Sequence, residues 1–319
     1  MAVYTHVPDG ALNAFLSSYG LPAATMFKGI AEGVENSNYL VETAGERFIL
    51  TLYERRVDPG DLPYFLGLMD FVADAGLPAA RPLTGRDGER LRTLCGRPAA
   101  LITFVSGVSP EAPSPAQARA AGAALARLHR AAEPFEGRRA NALGPDGWQA
   151  LFAQIAPRLD EVAPGFRSEV GHHLERALAP LPGLPAGTIH ADLFPDNVLF
   201  EGDRVTGLID FYFACTDRLA YDLAIALNAW TKEPEDGEAP DPAGPRAFLA
   251  GYESIRPLAG AERDALPQLL TGAALRFLLT RAHDWLHRVP GACVSVKDPL
   301  PYLRLLRHHE RSPDDFLEA

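Results

Sequence analysis

The stretch from residue 188 to residue 211 most constrains how this chain can fold, because it sets polar side chains inside apolar runs. It reads TIHADLFPDNVLFEGDRVTGLIDF. Two apolar segments flank Gly202 and Asp203, and a glycine at the first central position favours a tight hairpin turn. The flanking segments are therefore predicted to be paired strands. The polar side chains that need an explanation are those of His190, Asp192, Asn197 and Asp210.

A turn at this position determines which residues face one another across the strand pair. Asn197 is then opposite Leu208, and Asp210 lies two residues further along on the same face. A carboxylate and an amide oxygen are thus predicted to be neighbours, which is costly near buried strands unless they share a partner. A hard divalent cation accepts such oxygen ligands. Asp192, on the loop before the first strand, is close enough to serve a reaction at that cation.

Each of these residues has an ordinary structural interpretation when it is considered alone. Asp192 or Asp196 could cap a turn or a helix, Asn197 could be a turn residue, and Asp210 could accept hydrogen bonds at a strand end. The combination is more specific. The pattern H-x-D-x-x-x-x-N, a hairpin and an apolar strand ending in Asp-Phe is typical of sites for phosphoryl transfer. We therefore interpret the block as catalytic.

The rest of the chain is predicted to form two lobes, since 319 residues exceed the usual size of a single core. Residues 20–105 contain four apolar runs with strand character and one helical pattern, which predicts a small sheet carrying a helix. After the Gly- and Pro-containing segment SGVSPEAPSP the patterns are mostly helical. We predict an α+β protein with one lobe at residues 1–105 and a second at residues 106–319.

Charge and cysteine content exclude several other classes of protein. A formal net charge of −11 argues against binding to nucleic acid, which needs clustered Lys and Arg. Cys95, Cys215 and Cys293 are far apart, so neither a disulfide framework nor a zinc site is expected. No stretch approaches the length of about 18 apolar residues that a membrane span requires. We expect a soluble cytoplasmic protein without a membrane partner, and the sequence leaves its oligomeric state open.

The catalytic block resembles the aminoglycoside-phosphotransferase and choline-kinase branch of the protein-kinase-like fold. Within that branch, the chain is most similar to bacterial homoserine kinases of the kinase-like type in the segments FKGIAEGVENSNYLVET, RFILTLYERR, LITFVSG and IDFYFACTDRLAYDLAIALNAW. The resemblance implies a two-lobed fold, with a small antiparallel-sheet lobe that binds the nucleotide and a mainly helical lobe for catalysis and acceptor binding. It also implies ATP and Mg²⁺ as cofactors and L-homoserine as the acceptor.

The resemblance assigns roles to the residues of the block. Asp192 would accept or orient the proton of the acceptor hydroxyl, while Asn197 and Asp210 would hold Mg²⁺ against the ATP phosphates. His190 would brace the loop through hydrogen bonds. Asp222, in the segment YDLA, would support the same loop without reacting.

The nucleotide contacts implied by the resemblance lie in the first lobe. The segment from Gly33 to Asn38 would cover the phosphates, with Gly33, Ser37 and Asn38 as candidate contacts. Backbone groups of Thr103, Phe104 and Val105 would face adenine. One departure matters: Thr51 stands where many relatives carry a phosphate-binding lysine, and threonine cannot supply that charge. The candidates to replace it are Lys28, Arg55 and Arg56.

An amino-acid acceptor needs an anionic group for its ammonium and a guanidinium for its carboxylate. The candidates are Tyr212, Asp217, Arg276 and Arg281. The helix around Arg276 and Arg281 has an alternative interpretation as a solvated charged face with Phe277 and Trp285 packed inward. Two alternatives for function remain: a kinase of the same fold for choline, an aminoglycoside or methylthioribose, and a nucleotide-binding pseudokinase. The presence of both Asp192 and Asp210 argues against the pseudokinase.

Overall fold

The first lobe is an antiparallel sheet of five strands with two helices. The computed structural model describes residues 5–30, 36–54, 57–181, 183–232, 239–288 and 296–317. The strands follow the spatial order β1-β2-β3-β5-β4. They are β1 (Met26–Gly29), β2 (Ser37–Glu42), β3 (Arg47–Leu52), β4 (Arg92–Leu94) and β5 (Arg97–Thr103), and the helices are α1 (Asp9–Ser18) and α2 (Leu62–Asp74).

The alternation of side chains along these strands gives the sheet two different faces. Tyr39, Val41 and Leu50 are buried on one face, in a cluster with the apolar side chains of α1. Thr51 and Ile102 lie on the opposite face, where Ile102 joins the main core together with α2. The second face therefore looks towards the other lobe, and it is the face that can contribute to a site between the two.

The second lobe is mainly helical, and its helices enclose two short strand pairs. Strand β6 (Ala186–Ile189) pairs with β9 (Cys215–Arg218), and β7 (Val198–Glu201) pairs with β8 (Arg204–Leu208). The helices are α3 (Pro115–Ala131), α4 (Pro145–Ile155), α5 (Phe166–Ala177), α6 (Leu219–Ala229), α7 (Ala243–Glu253), α8 (Gly260–Leu286) and α9 (Leu300–Arg311). This α+β arrangement of a sheet lobe and a helical lobe agrees with the sequence prediction.

The segment that joins the lobes runs from the end of β5 to the start of α3 and is bonded to the β7–β8 hairpin. Val108 and Phe200 exchange two backbone hydrogen bonds, of 3.0 and 2.9 Å between nitrogen and oxygen. Gly107 has φ 132°, and a Cβ there would lie 3.1 Å from the Phe200 nitrogen. Glycine thus permits the close approach of this connection to the hairpin. The predicted lobe boundary at residue 105 falls within it.

Strands β1, β6 and β9 have no counterpart in the elements predicted from the sequence, whereas the other strands of the first lobe, α2 and the β7–β8 hairpin do. Each of the three missed strands has only four residues, which is too short to show a clear alternation. No helix within the described ranges is long and apolar enough to cross a membrane.

The buried histidine His309 gives the fold a dependence on pH. Its side chain is 4% exposed and its Nε2 donates to Asn228 Oδ1 at 2.8 Å. Burial lowers the pKa of His309 to about 3. The unfolded chain binds a proton there below pH ~6.5 while the folded chain does not, so stability is lost as the pH falls. The loss expected from this residue is about 1.4 kcal/mol per pH unit between pH 6 and pH 4.

We expect His309→Gln, which keeps a donor for Asn228 but cannot titrate in this range, to flatten the fall in unfolding free energy between pH 7 and pH 5. Urea unfolding at several pH values measures the slope for the wild type and the variant. His6→Gln, at an exposed position, is the matched control and should leave the slope unchanged. A variant slope equal to that of the wild type would contradict the assignment.

Candidate active site

The β7–β8 hairpin places Asn197 beside the segment that carries Asp210. The turn lies at Gly202 and Asp203, as predicted, with Gly202 at φ 63°. The predicted register is wrong by one residue, because a bulge between Leu199 and Phe200 shifts the pairing so that Val198 faces Leu208. Asn197 is opposite Ile209 instead, and its carbonyl accepts the Ile209 N–H at 3.1 Å.

Asn197 also fixes the geometry of Asp192. It closes the short 3₁₀ turn Pro195–Asn197, and its Nδ2 donates to the Asp192 carbonyl at 2.8 Å and to Asp192 Oδ2 at 3.3 Å. The amide oxygen Oδ1 of Asn197 points away from Nδ2 within the same amide plane and remains a candidate ligand for a cation. Asp192 and Asn197, predicted to act together, are thus in direct contact.

The loop before Asp192 is held by the buried carboxylate of Asp222 on α6. Asp222 Oδ2 accepts the His190 N–H at 2.8 Å, and Oδ1 accepts the Ala191 N–H at 2.7 Å. Ala191 has φ 62°, a conformation that non-glycine residues rarely adopt. Burial alone would raise the pKa of Asp222, but the hydrogen bond from His129 and the nearby histidines lower it below its usual value. Asp222 is therefore an ionised anchor for the loop.

His190 links the loop to the end of β8. Its side chain is buried, its Nε2 donates to the Ile209 carbonyl at 3.0 Å, and its ring lies 4.8 Å from the ring of Phe211. Burial lowers the pKa of His190, which keeps the imidazole neutral. Its contacts are those of a bracing residue, the role that the resemblance implies for it.

A chain of buried polar side chains continues from Asp222 through three further helices. His129 Nε2 on α3 donates to Asp222 at 2.9 Å, and His129 Nδ1 lies 2.7 Å from the Tyr252 hydroxyl on α7. Arg256 donates to that hydroxyl at 3.2 Å and to Glu262 of α8 at 2.9 Å. Sequence reasoning did not find these residues, because they are separated by up to 123 positions along the chain.

Asp210 follows β8 and precedes the short 3₁₀ turn Phe211–Phe213. Its backbone is left-handed, with φ 62° and ψ 61°, and its side chain is exposed. The charge of Asp210 contributes, after burial, to raising the pKa values of Tyr53 and Tyr212, which places the carboxylate near both rings. Together with Asn197, Asp210 offers oxygen ligands at the edge of the cleft.

The donor set suits Mg²⁺, which typically binds one or two protein oxygens and completes its coordination with water and phosphate. Among the described residues there is no group of three or more His, Cys, Asp or Glu that could hold a metal ion by itself. Asn197 is opposite Ile209 in the strand pair, and Asp210 is the next residue after Ile209. They therefore fit a cation that is shared with a phosphorylated ligand.

The residues predicted to contact adenine lie at the end of β5 and in the segment that follows it. Thr103 ends β5, and the amides of Thr103 and Phe104 donate to the carbonyls of Arg81 at 2.8 Å and Arg47 at 3.3 Å. This leaves the carbonyls of the segment and the Val105 amide as the groups it could offer to adenine. Val105 also contacts Gly207, where a Cβ would lie 2.4 Å from Val105 Cγ1.

The three residues predicted to contact the ATP phosphates differ in their positions. Gly33 lies outside the described residues. The Ser37 side chain is fully buried and donates to Glu54 Oε1 at 2.7 Å, so it stabilises the sheet and does not face the cleft. Asn38 lies on the opposite face, where its Oδ1 accepts the Thr51 hydroxyl at 2.8 Å.

The lysine position of other kinases is thus occupied by a neutral hydrogen-bonded pair, Thr51 and Asn38. Lys28 on β1 shares this face of the sheet, because it is opposite Leu40 of β2 and Leu40 is two residues from Asn38. Arg55 and Arg56 lie outside the described residues. Lys28 is therefore the described candidate for the cation that Thr51 does not provide.

A cavity of about 460 Å³, a candidate site for the acceptor, opens beside Asp192. One wall is a single face of α8, since Phe277, Thr280, Arg281 and Asp284 recur at helical spacing. The cavity is also lined by Leu143, Leu151, Phe194, Asp196, Phe213, Arg276, His283 and Lys297. Both predicted arginines therefore line the cavity that contains Asp192, and the alternative of a solvated charged face does not hold for Arg276 and Arg281, which are buried.

The other two predicted acceptor residues lie elsewhere. Tyr212 lines a neighbouring cavity of about 340 Å³, together with Asn141 and Arg276, and its hydroxyl lies 3.0 Å from that of Tyr53. Asp217 accepts a hydrogen bond from Asn141 Nδ2 at 2.7 Å. Neither is among the residues that line the Asp192 cavity.

Some known proteins are similar to this chain in sequence, and others are similar to it in fold. A family model for a phosphotransferase enzyme family matches residues 27–258. A homoserine kinase of Gluconacetobacter diazotrophicus is 57% identical over 97% of each chain, and one of Granulibacter bethesdensis is 53% identical over 98% of each chain. A spectinomycin phosphotransferase, solved with ADP and spectinomycin, has a TM-score of 0.73 at 13% identity and covers 98% of this chain and 100% of its own. The predicted two-lobed kinase-like fold is confirmed, and the chain belongs to the phosphotransferase enzyme family and, within it, to the homoserine kinases.

Proposed function

We propose that this chain transfers the γ-phosphoryl group of ATP to the side-chain hydroxyl of L-homoserine, giving O-phospho-L-homoserine for threonine biosynthesis. The observation that supports this most is Asp192, held by Asn197 at a cavity whose wall carries buried arginines. Relatives that are more than half identical over nearly the whole chain are homoserine kinases.

The reaction needs the acceptor hydroxyl held in line with the bond that breaks. As the new bond forms between the hydroxyl oxygen and the γ-phosphorus, the bond from that phosphorus to the bridging oxygen breaks, and ADP leaves. The hydroxyl proton passes to Asp192 Oδ. Catalysis of this kind depends on positioning and on charge stabilisation, without a covalent enzyme intermediate. Asp222 and His190 serve it by keeping the loop in one conformation.

Asn197 and Asp210 would hold Mg²⁺, which when bound neutralises charge on the phosphates. We expect Asp210→Asn to weaken the apparent Mg²⁺ affinity by roughly 100-fold, about 2.7 kcal/mol, because a carboxylate charge is lost from the ligand set. Titration of activity with MgCl₂ after EDTA treatment measures the change. Asp203→Asn, at the exposed hairpin turn, is the control, and an unchanged Mg²⁺ dependence in Asp210→Asn would remove that residue from the metal site.

The acceptor is tested by measuring ADP release with Mg-ATP and, separately, L-homoserine, choline, kanamycin, methylthioribose and L-serine. Turnover confined to L-homoserine is the expected result. Turnover with a different acceptor would keep the phosphotransfer residues but overturn the proposed acceptor. ATP binding without turnover of any of the five would contradict the proposed activity.

A further inference from the structure

Arg276 is a buried cation that forms no ion pair with a carboxylate among the described residues. It lies on α8 and is 3% exposed. One of its nitrogens, Nη1, donates to the Ala191 carbonyl, and its guanidinium carbon lies 4.6 Å from the ring centre of Phe277 and 5.5 Å from that of Phe213. Among the described residues, no carboxylate oxygen lies within 4.0 Å of its nitrogens.

A guanidinium in such surroundings has donors that need an anion. Removing an ion from water is costly unless the charge is paired and hydrogen-bonded. The two aromatic faces, one carbonyl and the neutral Tyr221 hydroxyl nearby compensate only part of this cost, since none of them carries a negative charge and cation–π contacts are worth about 0.5–2 kcal/mol. The planar fork of arginine matches a carboxylate in a bidentate geometry. A carboxylate from a ligand would complete the site.

The position of Arg276 indicates that the carboxylate belongs to the acceptor. Arg276 lines the cavity that contains Asp192, and it is bonded to the residue that immediately precedes Asp192. In L-homoserine only three carbon–carbon bonds separate the hydroxyl-bearing carbon from the carboxylate carbon. An acceptor whose hydroxyl contacts Asp192 therefore has its carboxylate near the start of the α8 wall. We infer that Arg276 binds the acceptor carboxylate, an inference that rests on the proposed function.

Arg281 is the rival for this role, and its contacts place it further from the reaction. It is five residues along α8 from Arg276, a rise of about 7.5 Å. Its Nη1 donates to the Asp298 carbonyl at 3.1 Å, and its guanidinium carbon lies 4.5 Å from the ring centre of Tyr302. These contacts direct the Arg281 side chain towards α9. A ligand as short as L-homoserine, with its hydroxyl at Asp192, would therefore contact Arg276 and not Arg281.

The inference predicts how the enzyme selects its acceptor. Because Arg276 donates to Ala191 and binds the carboxylate with the same guanidinium, an acceptor that lacks a carboxylate leaves buried donors unpaired beside the catalytic loop. Sites built around a buried polar partner reject analogues that lack it by large factors. Amino alcohols such as choline and 3-amino-1-propanol are therefore poor ligands for this cavity.

Calorimetric titration with three ligands tests the inference. L-homoserine and 4-hydroxybutyrate carry the carboxylate, whereas 3-amino-1-propanol lacks it. We expect Arg276→Gln to weaken binding of the first two by about 100-fold and of the third by less than about threefold. Arg276→Lys keeps the positive charge but not the planar guanidinium, so it should weaken binding of the two carboxylate ligands by an intermediate factor and that of 3-amino-1-propanol least. This variant replaces Arg276→Gln in the test if the glutamine variant does not fold.

Controls and contrary outcomes separate this inference from the proposed function. Arg263, on α8 like Arg276, forms an ion pair with Glu253 of α7. Arg263→Gln should change none of the three affinities. A purely structural Arg276 would shift all three ligands alike, and a selective loss in Arg281→Gln would assign the carboxylate to Arg281. Either result overturns the inference while wild-type turnover of L-homoserine still supports the function. Absence of that turnover, with another acceptor active, would overturn the function itself.

Discussion

Asp192→Asn is expected to lower kcat by about 10³-fold or more while leaving nucleotide binding intact. An amide cannot take up the hydroxyl proton, and general-base catalysis contributes about 10²–10⁴-fold in rate. The amide keeps an oxygen that can still accept the hydrogen bond from Asn197 Nδ2, so the loop should keep its shape. Single-turnover phosphorylation of L-homoserine and calorimetric titration with Mg-ADP measure the two properties separately.

Asp264→Asn provides the matched control for this prediction. It makes the same chemical change at an exposed position on α8, and its kcat should equal that of the wild type. A kcat for Asp192→Asn within about threefold of the wild type would remove Asp192 from the mechanism. Loss of Mg-ADP binding in that variant would instead assign the residue to the nucleotide site.

Asp222→Asn is expected to destabilise the fold by about 3–5 kcal/mol and to lower kcat as well. The carboxylate accepts three hydrogen bonds, from two loop amides and from His129. Asparagine would point an NH₂ group at one set of these donors, which leaves buried donors unpaired. The wild type should lose the same contribution in acid: because the folded pKa of Asp222 is lowered, its stabilisation is present above the unfolded pKa and disappears as the pH falls through the folded pKa.

Urea unfolding at pH 7 and steady-state kinetics test the Asp222 prediction. Asp74→Asn is the control, since its partner Arg81 lies at the surface and the Asp74 side chain is 63% exposed. Surface ion pairs contribute at most about 1 kcal/mol. An unfolding free energy of Asp222→Asn within that range would show that the loop is held by other contacts.

The sequence was sufficient for the parts of the site that depend on neighbouring residues. The turn at Gly202 and Asp203 and the proximity of Asn197 to the Asp210 segment follow from local strand pairing. The predicted register was wrong because counting outward from the turn assumes that the residues of the two strands pair one to one. Strand β8 has one extra residue between the pairs Phe200–Val205 and Leu199–Gly207, and this residue shifts the register by one. No pattern of apolar and polar residues in a single strand indicates such a bulge.

Contacts between distant elements could not be predicted for a different reason. The bond from His129 to Asp222 joins residues 93 positions apart, and its signal in the sequence is a single polar residue in an otherwise apolar helical stripe. The orientation of Ser37 is decided by the sheet that β1 and β3 form around it, and β1 is too short to be recognised. Packing between helices and strands therefore supplies the part of the site that the sequence pattern leaves open.

The buried chain from Asp222 through His129, Tyr252 and Arg256 to Glu262 makes the catalytic loop part of the helical core. Its members come from α3, α6, α7, the segment after α7, and α8, so the loop cannot leave its left-handed conformation at Ala191 without disturbing several helices. Many kinases switch activity by rearranging flexible segments. In this chain the proposed base, Asp192, follows a loop that is anchored to the helical lobe, so folding of that lobe by itself would put the residue in position.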